Sequence, residues 1–340
     1  MRLLQINTTV NSGSTGRIAE DIGSLAIERG YESYIAFGRG NRSSKSNLIR
    51  IGSQIDMYWH GFQTLIFDRH GFASKAATEQ LIRVIDELQP DVIGLHNLHG
   101  YYINIEVLFN YLKVSNIPVL WTLFDCWAFT GHCTYFDDIS CTKWVNACNN
   151  CPKTKKYPSS LVFDNSANNF IKKRSLFTGI TNINFVVHSS WLHSLFLQSF
   201  LKEFPVHLIH SGVDIHLFSP RKDFSRIYAR YPIEHKKIIL GVASIWDPRK
   251  GLNDFKALSK QLPQEYLIVL IGISEKDRKD LPQNILAISR TENISELADW
   301  YSLAGVFVNP TWQDNFPTTN LEALSCGTPV ITYNSGGSPE

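Results

Sequence analysis

Short, almost wholly apolar runs recur along this chain, separated by segments long enough to form helices. Residues 3–7 read as a first strand, 16–29 as a helix and 34–38 as a second strand. Residues 75–88 set Leu81, Ile82, Ile85 and Leu88 on one face at helical spacing. Residues 91–97, 117–124, 183–188 and 206–210 read as further strands. The second half repeats the rhythm, with strands at 237–244, 266–273, 284–289, 305–309 and 329–333 and helices at 252–262, 294–303 and 318–326. Runs that are apolar nearly throughout suit parallel strands covered on both faces. Their alternation with helices predicts an α/β fold built on parallel sheets. Residues 126–158 break the rhythm: they are rich in Cys, Asn, Asp, Lys and aromatics, and too long for an ordinary loop. They read as a functional insertion. Polar, Gly and Pro residues between Ser211 and Pro220 follow a strand, which predicts domains at 1–212 and 213–340 with ligands at the carboxyl ends of their strands.

Composition narrows the class. A chain of 340 residues has room for two domains. Its 44% hydrophobic content excludes a disordered chain, and a net charge of +2 gives no support for a nucleic-acid partner. No apolar run reaches the ~18–20 residues of a membrane span, and the apolar start is too short for a signal-peptide core. The expectation is a cytoplasmic protein with peripheral contact to the inner face of a membrane. Lys153, Lys155, Lys156, Lys172, Lys173 and Arg174 concentrate basic charge that suits anionic headgroups, with an ordinary solvated face as the alternative.

Five of the six cysteines fall between Cys126 and Cys151. Cys133, Cys141, Cys148 and Cys151 end in the Cys-x-x-Cys half of a zinc knuckle. Structural zinc is one reading; disulfides and free thiols are the others. No catalytic metal is indicated.

Candidate chemistry sits where strands end. Asn7-Thr-Thr-Val-Asn-Ser-Gly13-Ser-Thr-Gly16 leads into a helix, and a helix start with free N–H groups suits an anion or polar substrate. A capped helix start is the other reading. Neither a P-loop nor a Gly-x-Gly-x-x-Gly dinucleotide motif is present. His96-Asn-Leu-His99-Gly100 and Asp125 close two strands; structural histidines and a turn-capping Asp are the alternatives. Arg249-Lys250-Gly251 opens a helix after a strand, a placement for a di-anion such as a diphosphate. Asp314-Asn315-Phe316-Pro317-Thr318 precedes a helix that carries Glu322. Two carboxylates beside loop N–H groups suit the hydroxyls of a sugar and a ribose.

Taken in order, these motifs resemble glycosyltransferase family 4 of the GT-B fold, in its bacterial polysaccharide-biosynthesis branch. The resemblance rests on residues 11–17, 96–100, Trp121-Thr-Leu-Phe-Asp125 with Thr130-Gly131, Ser211-Gly-Val-Asp214, Arg249-Lys-Gly251, the Asp314/Glu322 pair and Gly336-Gly-Ser-Pro-Glu340. It implies two Rossmann-like domains and a retaining transfer from a UDP- or GDP-linked sugar to a saccharide or lipid-linked acceptor. No cofactor is required for that catalysis. By the same resemblance Arg249 and Lys250 hold the leaving diphosphate and Glu322 the ribose. Asp314 meets the donor sugar, positioned with Asn315, Phe316, Pro317 and Thr318. His99 lies near the reacting carbon, Asp125 is the catalytic candidate at its strand end as a hydrogen-bonding or general-base group, and Gly13 and Gly16 meet the diphosphate. Four departures stand out: Phe124 where relatives carry His, Ser211 where they carry Asn, Asp314 where they carry Glu, and an end at Glu340 that predicts an incomplete second domain. A catalytically weak nucleotide-sugar-binding module is the alternative reading.

Overall fold

The computed structural model describes residues 1–340 apart from Asn41 and Glu234. Two compact units follow one another, Met1–Ile209 and His210–Glu340. The first runs β1 (Arg2–Asn7), α1 (Gly13–Glu28), β2 (Glu32–Phe37), β3 (Asn47–Arg50), α2 (Gln54–Phe67), α3 (Lys75–Leu88) and β4 (Val92–Leu95). It continues with α4 (Ile105–Val114), β5 (Val119–Leu123), α5 (Ser166–Phe177), β6 (Ile183–Val187), α6 (Ser190–Phe196) and β7 (Val206–Leu208). The second unit holds α7 (Ser225–Arg230), β8 (Lys237–Val242), α8 (Leu252–Ser259), β9 (Tyr266–Ile271), α9 (Glu275–Arg278) and β10 (Ile285–Ile288). It ends with α10 (Ile294–Leu303), β11 (Val306–Asn309), α11 (Thr318–Ser325) and β12 (Val330–Thr332).

Both sheets are parallel, in the orders β3-β2-β1-β4-β5-β6-β7 and β10-β9-β8-β11-β12. These are doubly wound, Rossmann-like orders. The order reverses between β1 and β4 in the first sheet and between β8 and β11 in the second. A crevice opens at such a switch point, because the loops on either side leave in opposite directions. The candidate motifs after β1, β4, β8 and β11 occupy these two places.

The apolar strands bury both faces, as the runs predict. In the second sheet Ile238, Leu240, Val269, Ile271 and Phe307 join one core cluster, and their alternating neighbours Ile239, Ile268 and Leu270 join another. In the first unit Trp121 of β5 meets Phe109, Phe177 and Phe185 at ring distances of 4.9–5.4 Å. Rings at these spacings add to the burial term.

Seven elements fall outside the segments read from the sequence: β3, α2, α4, α5, α6, α7 and α9. β3 is short and mostly exposed at the sheet edge. α2 is inverted: its buried residues are His60 and Thr64, while its apolar residues face outward. Its capping box, Ser53 with Asp56, is the signal that locates it. The insertion is also better packed than its composition suggests. Three short 3₁₀ turns surround Trp144, whose ring lies 5.1 Å from Phe136 and 5.3 Å from Phe129.

Candidate functional site

At the first switch point, β1 and β4 are tied by Thr8, whose hydroxyl lies 2.9 Å from the Asn97 carbonyl and 2.6 Å from that of His99. His99 is buried, with both ring nitrogens engaged: Nε2 lies 2.7 Å from Asp125 Oδ2 and Nδ1 lies 3.0 Å from the Tyr157 hydroxyl. Asp125 Oδ1 accepts from the Trp127 N–H at 2.9 Å, which fixes the carboxylate at the end of β5. The strand ends thus bring His99 and Asp125 together from 26 residues apart, and both line one pocket with Phe124 and Trp127.

Around His99 stand aromatic groups that no sequence spacing connects. His70, Tyr101, Trp127 and Tyr157 place their rings within 5.0–6.2 Å of a neighbour in the cluster. Tyr157 comes from the insertion, so the insertion supplies a partner to His99. His70 is fully buried, accepts from the Gly100 N–H at 3.3 Å, and is held neutral by that burial.

His96 has a different role from His99. Gln5 donates through Nε2 to the Ala19 carbonyl at 2.8 Å, so its Oε1 faces His96 Nε2 at 2.9 Å. The proton therefore sits on His96 Nε2. Its Nδ1 is buried without a partner, and burial drops the pKa to about 4. His96 is a core residue. At the start of α1, Ser12 does not cap the helix through its side chain. The turn is instead closed by the Asn11 N–H to the Gly16 carbonyl, with Gly13 and Gly16 inside it.

The basic cluster is divided by burial. Lys173 is buried, donates to the Trp127 and Thr130 carbonyls at 2.7 and 3.1 Å, and sits 3.5 Å from the Trp127 ring centroid. Burial lowers its pKa to about 7. Lys153 is also buried, in a 2.5 Å pair with Asp138. These two lysines are structural and do not belong to a surface patch; Lys155, Lys156, Lys172 and Arg174 remain exposed.

At the second switch point, the loops after β8 and β11 are laced together. The Trp312 N–H donates to the Arg249 carbonyl at 2.8 Å, and Arg249 Nη1 donates to the Gln313 carbonyl at 2.8 Å. Lys250 pairs with Asp314, both largely buried. Asp247 caps the 3₁₀ turn Pro248–Lys250 and also receives Arg249 Nε at 3.1 Å. Gly251 is required here: its φ is +75°, and a Cβ would lie 2.3 Å from the Pro310 carbonyl oxygen. The Gly336 loop closes on the same place, with the Gly337 N–H donating to the Asp314 carbonyl at 3.2 Å.

Glu322 is buried on α11, where Oε2 accepts from the Tyr301 hydroxyl at 2.9 Å. Asn320 bridges Asn309 and Ser338 at 2.8 and 3.1 Å. Phe316 stacks on His210 at 4.9 Å. Pro317 precedes α11, and Thr318 is its first residue. So Arg249, Lys250, Asp314, Asn315, Phe316, Pro317, Thr318 and Glu322 all come from the β8 and β11 connections. Tyr301, His210 and Gln313 are partners the sequence did not reveal. Asp214 caps a turn, accepting from the His216 and Leu217 N–H groups.

All six cysteines are unpaired by disulfides. Cys133 and Cys151 share a hydrogen bond that raises the first thiol's pKa and lowers the second's. Cys148 Sγ accepts from the Gly131 N–H at 3.3 Å. Among the described residues no group of three or more His, Cys, Asp or Glu is arranged to hold a metal ion. The four cysteines of the expected zinc knuckle lie close enough to act on one another: Cys133 and Cys148 both interact with Cys151, and Cys148 also with Cys141. Among the same residues no helix is long and apolar enough to cross a membrane.

Residues 236–340 match the family described as Glycosyl transferases group 1. The whole chain aligns with WcaC of Escherichia coli K12, assigned as a colanic acid biosynthesis glycosyl transferase, at 25% identity over 85% of that protein. Other curated relatives are matched over 33–42% of their own length. The solved sucrose-phosphate synthase of Thermosynechococcus elongatus superposes with a TM-score of 0.69 at 16% identity, covering 99% of this chain and 82% of that one. Anabaena HepE, solved with UDP-glucose, gives 0.65 at 13% identity over 99% and 81%. The fold is that of the GT-B glycosyltransferases, and residues 236–340 are a glycosyl transferases group 1 domain in a chain homologous to WcaC.

Proposed function

We propose that this protein is a retaining, metal-independent hexosyltransferase. Its donor is a UDP- or GDP-linked sugar, and its acceptor a saccharide or lipid-linked saccharide in the assembly of a cell-surface polysaccharide such as capsule, O-antigen or exopolysaccharide. The group 1 match over the second unit and the full-length likeness to WcaC support the broad reading. The observation that carries the finer one is the basic turn Arg249-Lys250, clasped to the loop that bears Asp314.

Cleaving a sugar from a diphosphate builds negative charge on the leaving oxygens. Two fixed cations at that point stabilise the transition state more than the bound ground state. Lys250 reaches the phosphate by exchanging it for the Asp314 carboxylate, and the exchange releases Asp314 to accept from sugar hydroxyls. Glu322, oriented by Tyr301, accepts from the ribose hydroxyls. Phe316 and the residues around it shape the sugar's seat. In the first unit His99 is locked by Asp125 and Tyr157, a fixed polar pair suited to an acceptor hydroxyl. Because Arg249 and Lys250 carry the charge stabilisation, the proposed chemistry assigns no step to a metal.

The test is nucleotide release from a panel of UDP- and GDP-sugars with a lipid-linked saccharide acceptor. Wild type should turn over one donor class. Lys250→Ala should lose on the order of 10²–10³-fold in kcat, with Glu322→Ala also impaired. Equal release in all three proteins would sink these roles. Donor binding without turnover would favour a nucleotide-sugar-binding module.

A further inference from the structure

A surface helix of a globular protein normally turns its apolar stripe inward. α2 does the reverse. Ile55, Tyr58, Trp59, Phe62 and Leu65 recur at helical spacing on its exposed side, with Ile55 78%, Tyr58 66% and Trp59 56% exposed. Trp59 and Phe62 stack at 5.5 Å. The stripe extends beyond the helix: the Leu161 and Phe163 N–H groups donate to the Leu65 and Ile66 carbonyls at 2.8 and 3.1 Å, and Phe163 stacks on Phe67 at 5.8 Å. Leu161 and Val162 are each 61% exposed beside them. One continuous apolar surface results, of a kind that marks an interaction site.

Charge says what it meets. Residues 57–67 contain no charged side chain, and residues 154–163 contain only Lys155 and Lys156, both exposed. Arg69 is exposed at the exit of α2. The acids at the margins are tied down: Asp56 accepts from the Ser53 N–H, and Asp164 from the Cys151 and Ser166 N–H groups. An apolar face rich in Tyr and Trp with a basic rim is the composition of an interfacial membrane helix.

We infer that α2 and the Leu161–Val162–Phe163 segment form a docking face for an anionic lipid surface, with the rings of Tyr58, Trp59 and Phe62 entering the headgroup layer and Lys155, Lys156 and Arg69 meeting lipid phosphates. The face is the side of α2 turned away from its buried His60 and Thr64. It replaces the mixed basic cluster expected from the sequence with a defined surface.

The test is co-sedimentation of the full chain with vesicles of phosphatidylglycerol in phosphatidylcholine, against pure phosphatidylcholine. Wild type should bind the anionic vesicles and bind them less well as salt rises. The Tyr58→Ser/Trp59→Ser/Phe62→Ser variant should lose about a hundredfold in partition, and Lys155→Glu/Lys156→Glu about tenfold or more. Circular dichroism should show both variants folded, since the changed side chains are exposed. The fluorescence difference between wild type and Trp59→Phe should shift to the blue with vesicles. Wild type remaining in the supernatant, equal binding by the triple variant, or a dimer that the triple variant dissociates without any vesicle binding would each overturn the inference.

Discussion

His60, His96, His99 and His132 share a residue type yet do different work, because each ring nitrogen meets something different. His99 faces a carboxylate and a phenol at the end of two strands. His96 faces an amide oxygen on one side and nothing on the other. His60 accepts from the Gly71 N–H at Nε2 and meets Ser74 at Nδ1, and burial brings its pKa to about 3. For His60, His70 and His96 the folded pKa lies below the unfolded value of about 6.5, so the unfolded chain binds more protons as the solution acidifies. Their contribution is intact above that value and falls by about 1.4 kcal/mol per pH unit per residue below it, toward pH 4. His132 acts in the opposite sense: burial opposes its charge, but the buried Asp68 carboxylate at 2.6 Å outweighs burial and raises the pKa. Three groups against one predict a thermal midpoint roughly 5 °C lower at pH 5.5 than at pH 7. His96→Gln should flatten that dependence; an unchanged midpoint between the two conditions would contradict the assignment of neutral buried rings. Of this, the sequence shows only that histidines close a strand. Which ring is sealed against an amide and which meets a phenol and a carboxylate depends on Gln5 and Tyr157, 91 and 58 residues away, and no local pattern encodes such pairings.

Glycines test the elements. Gly251 ends the Pro248–Lys250 turn in the left-handed region and lies against Pro310, so any side chain strains the backbone and pushes apart the two loops that hold Lys250 and Asp314. Gly61 lies within α2, and a Cβ placed there would meet nothing within 4 Å. Gly251→Ala should therefore destabilise by about 1–3 kcal/mol, while Gly61→Ala should stabilise by about 0.5–1 kcal/mol through lower unfolded-chain entropy. Urea unfolding of both variants reads the difference, and effects of the same sign would refute it. The central strands and helices are legible in the sequence because burial on both faces leaves unbroken apolar runs, as at β8 and β9, and because α3 and α10 keep a clean helical period. β3 is not, since an exposed four-residue edge strand has no such run. α2 is hidden because its apolar period belongs to the solvent side, leaving only the Ser53/Asp56 box to announce it.

At the scale of the whole molecule, two units without visible sequence repetition arrive at the same plan: a parallel doubly wound sheet whose order reverses beside the first strand of each unit. Sheet topology, rather than local sequence, selects which loops can carry chemistry. That is why motifs far apart in the chain, such as residues 247–251 and 310–318, become one clasp. Their order along the chain is enough to expect the family and the fold; the partners that fix each side chain emerge only from the packing. The central claim is that Arg249 and Lys250 hold the diphosphate of a nucleotide donor. Calorimetric titration of UDP and GDP into wild type and Lys250→Ala tests it most directly. One of the two nucleotides should bind wild type, and Lys250→Ala should weaken it by about 10–150-fold, as expected for a lost charged hydrogen bond, while the matching nucleoside is affected little. Equal diphosphate affinity in the two proteins, or no binding of either nucleotide to wild type, would contradict it.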